Sequence, residues 1–148
     1  MLTGDDSITF GDAYLKKNSL KASLKEFQRQ LGYCPQVDPL IAHMTVMETM
    51  VMYASLRGIK QNLITRTCFS LTNLLKLAEH VDNMCYTLSG GNKRKLSVAI
   101  SLIGSPLLIL LDEPTSGMDP KARRSLWNTL NRIRNKGKSL ILTSHRFF

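Results

Sequence analysis

Leu107-Leu-Ile-Leu-Leu111 runs five apolar residues together, and two carboxylates, Asp112 and Glu113, follow at once. A strand with one wet face alternates apolar and polar side chains. An unbroken run is the pattern of a strand covered on both faces, which points to a parallel sheet flanked by helices. The residues after it complete that picture. Asp119 and Pro120 have the residue types of a helix cap and a first helical position. Leu126, Leu130 and Ile133 then recur at helical spacing, Gly137 ends the run, and Ser139 to Thr143 reads as a second buried strand. Strand, helix, strand in this order is an α/β unit with a parallel sheet.

Upstream, Thr9 to Leu15 reads as a strand, and Leu31 to Cys34 as a shorter one stopped by Pro35. Thr45 and Glu48 have the spacing of a capping box. Met47, Met50, Val51 and Ala54 follow at helical intervals until Gly58, and the methionines suit core filling. Ile64, Cys68, Leu71, Leu75 and Ala78 would share one face of a second helix. Leu96, Ala99, Ile100 and Ile103 repeat the pattern after Gly91. The stretch from about 45 to 104 is therefore mainly helical and could form a separate lobe beside the sheet. No repeat or low-complexity tract interrupts the chain.

The totals narrow the class without choosing a function. A chain of 148 residues, 43% hydrophobic and 21% charged, is sized and composed for one globular domain. Its net charge of +9 suits a polyanionic ligand, partner or surface, and also suits plainly solvated helix faces. Three cysteines with no C-x-x-C spacing argue against a zinc site or a disulfide scaffold and fit a reducing compartment. Asp5 and Asp6 precede any apolar run, so no signal peptide is read. The least charged stretch, Ala99 to Leu111, is broken by Gly104-Ser105-Pro106 and falls short of the roughly 20 apolar residues that cross a bilayer.

Open α/β sheets take ligands beyond the carboxyl ends of their strands, where Asp112 and Glu113 stand. One acid there suits Mg2+, and a second can deprotonate an attacking water. Taken alone, the pair fits a solvated strand exit equally well. His145, just past the last strand, would lie beside Glu113 if the two strands are parallel neighbours; His43 and His80 receive only structural roles. A further tension sits at Thr87 to Ile100. Ser89-Gly90-Gly91 opens a helix whose first turn carries Lys93, Arg94 and Lys95, although a helix start is already partly positive. A bound anion resolves it: glycines let the backbone approach, and Ser89 with the first amides supplies donors. A simple N-cap with three cations in water explains the serine but not the paired glycines.

Taken together, "CPQ" at Gln36, "LSGG" at Ser89 to Gly91, "LLILLDEP", "SGMDP" and "TSH" at His145 stand in a diagnostic order. The chain resembles the nucleotide-binding domain of ATP-binding-cassette transporters over nearly its whole length. "LSGGNKRKLSVAISLIG" and "DEPTSGMDPKARRSLWN" look most like the A subfamily, whose members export lipids. The resemblance implies a P-loop NTPase (RecA-like) parallel sheet core, here truncated, with an inserted, mainly helical signature subdomain. Residues 1–148 would be a partial domain, with about 45–104 as that subdomain and 105–148 carrying the Walker B, D-loop and H-loop part of the core.

It also implies roles. Gln36 would bind Mg2+ and the attacking water and sense the membrane domain. Asp112 would hold Mg2+ through water, Glu113 would be the general base, and His145 would contact the γ-phosphate of ATP. Ser89, Gly90, Gly91 and Asn92 would bind the ATP held by a second cassette, with Asp119 at that contact; Asn92 stands where many cassettes have glutamine. The implied partners are that second nucleotide-binding domain and the transporter's transmembrane domains, at the cytosolic face of a membrane. A nucleic-acid-linked cassette is the disfavoured alternative, and a non-hydrolytic interaction module another.

One family element has no counterpart. The phosphate loop, G-x-x-x-x-G-K-[ST], finds only Gly137-Lys138-Ser139, which has Arg132 where the first glycine belongs and leads into a strand rather than a helix. Met1 is expected to be an internal methionine of a longer protein, and Arg146-Phe147-Phe148 departs from the family. A fragment, a partial gene model or a truncated isoform is expected, inactive alone, with an unpaired sheet edge and poor solubility.

Overall fold

A computed structural model describes Thr3 and residues 8–144. A two-stranded antiparallel ribbon comes first, β1 (Tyr14–Leu15) with β2 (Asn18–Ser19), followed by the short helix α1 (Leu24–Arg29) and strand β3 (Leu31–Cys34). Three helices follow, α2 (Val46–Leu56), α3 (Gln61–Leu74) and α4 (Gly90–Ser101), with two short 3-10 turns between α3 and α4. Strand β4 (Leu108–Asp112), helix α5 (Pro120–Asn135) and strand β5 (Ser139–Thr143) complete the described chain.

The sheet has the order β3-β4-β5 and is parallel throughout, with Cys34 opposite Leu111 and Leu111 opposite Leu142. The mixed α/β class read from the sequence therefore holds. Strand β4 is central and buried on both faces, as its apolar run requires. Ile109 and Leu111 face one cluster that continues through Leu96 and Ala99 of α4, Ile103 just after it, Leu126 and Leu130 of α5, and Met50 and Cys68 of α2 and α3. Leu108 and Leu110 face the other way and meet Leu31 and Leu15. The helices thus share one continuous core with the sheet.

The helix boundaries follow from local chemistry. Thr45 accepts from the Glu48 amide while the Glu48 carboxylate accepts from the Thr45 amide, so α2 starts at the expected capping box. Gly58, at φ +72°, turns the chain out of it. Asp119 caps α5 by accepting from the Ala122 amide at 2.9 Å, and Pro120 takes the first helical position.

Three expectations need correction. Thr9 to Leu15 is not one strand, because Gly11 at φ +79° breaks the extended path. Asp12 then accepts from the Ala13 amide at 2.8 Å, the Lys21 amide at 3.2 Å and the Ser19 hydroxyl at 2.5 Å, folding the segment into a ribbon. Ala78 does not extend the α3 stripe: Lys76 turns left-handed at φ +57°, Leu77 takes the buried place, and Ala78 is exposed. Finally, β5 is a strand but not a buried one. It forms the sheet edge among the described residues, and Ile141 is 46% exposed.

Candidate functional site

The carboxyl ends of β3 and β4 carry Gln36 and the acid pair. Asp112 ends β4 directly opposite Thr143 of β5. The Thr143 hydroxyl donates to the Asp112 carboxylate and accepts from the Glu113 amide at 3.2 Å, so one side chain holds both acidic residues. Glu113 is 9% exposed and has φ +46°, an uncommon conformation for a residue with a side chain. Such backbone outliers concentrate where a side chain must be aimed at a task. Thr143 was missed in the sequence; counting its register against Asp112 is the signal that finds it.

Arg94 is the second missed residue and the larger correction. It belongs to the first turn of α4, yet its side chain is 3% exposed. Nη1 donates to the carbonyls of Pro35 at 2.5 Å and Gln36 at 3.3 Å and pairs with the Asp38 carboxylate at 3.0 Å. Nη2 donates to the backbone carbonyl of Asp112. The Ser97 hydroxyl adds a 2.7 Å bond to the same Asp38 oxygen. One guanidinium therefore joins the start of α4, the loop after β3 and the tip of β4. Its two Nη groups are partnered within the fold, although its buried Nε is not, so one of the three cations read as a sign of a bound anion has an internal reason. Cys34 lies beside this network, and burial pushes its thiol up to about 11, which keeps it protonated and unreactive at neutral pH.

Ser89 caps α4, its Oγ accepting from the Asn92 amide at 3.3 Å, and both Ser89 and Gly90 are exposed. The glycines are not required by packing. A Cβ on Gly90 would meet nothing within 4 Å, and one on Gly91 would make ordinary contacts with Met118 Cε at 3.9 Å and Ala122 Cβ at 4.0 Å. Neither glycine has a left-handed φ. The Asn92 side chain accepts from Lys95 Nζ at 3.3 Å. Asp119 is exposed, and the hydrogen bond from the Ala122 amide holds its carboxyl below the usual carboxylate range.

The structure thus gathers Gln36, Asp112 and Glu113 at the ends of adjacent strands, tied through Arg94 to the helix that begins at Ser89. Asp119 lies at the start of α5, whose Ala122 neighbours Gly91. His145 lies outside the described residues. Next to Gln36, the apolar side chains of Val37 (81%) and Ile41 (47%) are exposed. Met84 and Tyr86 expose two more, on a segment whose Tyr86 amide donates to the Ala42 carbonyl at 3.1 Å.

No three His, Cys, Asp or Glu side chains cluster to hold a metal among the described residues. The strand-end carboxylate of Asp112 suits Mg2+ rather than a metal that needs a cage of protein ligands. Mg2+ keeps several waters and takes one or two carboxylates together with substrate phosphates. No described helix is long and apolar enough to cross a membrane.

Comparison with known proteins identifies the family. The family model described as ABC transporter matches residues 1–116. The chain is 49% identical over 145 residues to the phospholipid-transporting ATPase ABCA3 of Mus musculus, covering 98% of this chain and 8% of that protein. It is 48% identical over 145 residues to ATP-binding cassette sub-family A member 2 of Homo sapiens, covering 98% of this chain and 6% of that one. The retinal-specific phospholipid-transporting ATPase ABCA4 of Bos taurus is 47% identical over 145 residues, with 98% and 6% covered. The chain therefore spans less than a tenth of the length of the curated relatives it matches.

Proposed function

Because the chain belongs to the ABC transporter family and is similar to members of its A subfamily, we propose that it is part of the ATP-hydrolysing module of a phospholipid exporter. The observation that carries this reading is the exposed Ser89-Gly90-Gly91 helix start, whose glycines the fold itself does not need. Close approach of a foreign group is the remaining reason for two residues without side chains at a helix N-terminus.

In this reading Ser89, Gly90, Gly91 and Asn92 close over the triphosphate of ATP carried by a second cassette, and Asp119 lines the contact between the two. Asp112 and Gln36 hold Mg2+ with its waters, which supplies charge neutralisation for the phosphates. Glu113, aimed by its strained backbone, accepts the proton of the attacking water, and His145 contacts the γ-phosphate. The exposed apolar residues beside Gln36 suit docking of the membrane domain. Residues 45–104 are the signature subdomain and 105–148 the Walker B, D-loop and H-loop part of the core.

The 148 residues contain no phosphate loop, so the chain alone is expected neither to bind ATP tightly nor to hydrolyse it. Losing one preorganised transition-state donor already lowers a rate by about 10²–10³. The test is to join a family strand and phosphate loop ahead of Met1 and measure ATP hydrolysis. The 148-residue chain is expected to be silent and the joined chain active, with Glu113→Gln lowering that activity by about 10² or more. Turnover by the short chain that Glu113→Gln abolishes would refute its inactivity. A folded but silent joined chain would favour the non-hydrolytic interaction module.

A further inference from the structure

Helix α5, like α4, begins against its own dipole: its first turn carries no acidic residue, while Lys121, Arg123 and Arg124 crowd its start. In α4 the conflict is partly resolved inside the fold, through Arg94 and Asp38. In α5 it is not. A groove of about 640 Å³ runs between the turn after α3, the start of α4 and the start of α5, and Lys76, Lys95, Lys121, Arg124, Asp119 and Asn128 line it. Four cations from three separate elements thus share one concavity with one carboxylate.

That carboxylate, Asp119, accepts from the Ala122 amide and offsets part of the charge, that of Lys95 in particular. Among the described residues the only ion pair is Arg94–Asp38, so none of the four groove cations is part of one. Lys95 bonds only to the neutral amide oxygen of Asn92. Burial lowers its pKa and the nearby charge of Lys76 lowers it further, while Asp119 acts against both. Lys76 itself occupies a left-handed turn position at φ +57°, where glycine or asparagine would be easier. Four cations facing one carboxylate therefore leave the groove with an excess of positive charge.

We propose that this groove binds a multiply charged phosphate group, at a site that adjoins the helix start assigned to the triphosphate of a second cassette and shares Asp119 with that contact. Three ammonium groups serve as point charges, and the Arg124 guanidinium offers a planar fork. The inference rests on the groove's own cations and stands whether or not the ATPase reading does.

Inorganic pyrophosphate, titrated into the 148-residue chain by calorimetry with circular dichroism as the folding control, is the first probe. The double variant Lys121→Gln/Arg124→Gln alters only exposed side chains and is expected to weaken binding by about tenfold. Lys17→Gln/Lys25→Gln removes the same charge from exposed positions elsewhere and is expected to leave binding unchanged. Asp119→Asn keeps a capping oxygen but removes the negative charge, and is expected to tighten it. Ser89→Ala is expected to have no effect. Phosphatidylcholine vesicles doped with phosphatidic acid form the second arm. Vesicle binding that the Lys121/Arg124 double variant abolishes, without pyrophosphate binding, assigns the phosphate to a lipid headgroup. Equal loss in both double variants, loss in Ser89→Ala, or binding of neither probe would overturn the groove as a phosphate site.

Discussion

A buried guanidinium is costly to desolvate, and Arg94 is tolerable only because carbonyls and a carboxylate replace its water. Removing one partner of such a pair leaves an uncompensated charge and costs about 3–5 kcal/mol, more than the pair itself contributes. Arg94→Met is therefore expected to destabilise the chain by roughly 3 kcal/mol in urea unfolding. Asp38→Asn is expected to cost a comparable amount, and the double variant less than the two added together. Strict additivity would mean that the two side chains do not act as a unit. The acids Asp112 and Glu113 were legible in the sequence because an apolar strand delivered them to a known kind of edge. Arg94 was not, since nothing in a string of three cations says which one turns inward. The reason lies 56 residues away, in Asp38. Thr143 was hidden in the same way, as a polar residue whose role depends on register with another strand.

Among the elements, two glycines show how alike residues can serve opposite purposes. Gly32 lies in β3 against the end of α4, where a Cβ would drive into the Ser101 carbonyl oxygen and come within 2.9 Å of Pro106 Cγ. A backbone oxygen cannot step aside, so Gly32→Ala should cost about 3 kcal/mol or more, in the range of overpacked cores. Gly90 has open space around it and begins a helix, where alanine is the better former. Gly90→Ala should thus leave the urea midpoint unchanged or raised, yet lower ATP hydrolysis in a chain joined to a phosphate loop. Loss of stability in Gly90→Ala would mean that packing does require this glycine, and would remove the argument that a ligand does. The helices were legible because caps and apolar stripes are local signals. The ribbon at Tyr14–Ser19 was not, because its shape comes from Asp12 gathering three donors, an arrangement that apolar periodicity does not encode. The β5 run misled for a related reason. Apolar continuity reports what a strand can bury, and its neighbours decide what it does bury.

At the scale of the whole molecule, that edge strand sets how the 148-residue chain behaves in solution. Strand β5 pairs with β4 on one side, and no described strand covers the other, so its outer amides and carbonyls are available to another chain. The register aligns Tyr33, Leu110 and Ile141 across one face of the sheet, and Tyr33 and Ile141 are 41% and 46% exposed. An apolar face that ends on an open edge is the arrangement that favours edge-to-edge pairing. Net charge of +9 opposes association through repulsion, but salt screens charges more than about a Debye length apart, near 10 Å at 0.1 M. The purified chain is therefore expected to sediment as a monomer at low ionic strength and to associate as salt or concentration rises. Ile141→Lys places a charge on the sheet face at the edge and should shift that association to higher concentration. Leu56→Lys, at a residue 75% exposed on a helix, should not. If both variants suppress association equally, added charge alone is responsible and the edge has no special part. If only Ile141→Lys does, the open side of β5 is where this chain meets another strand.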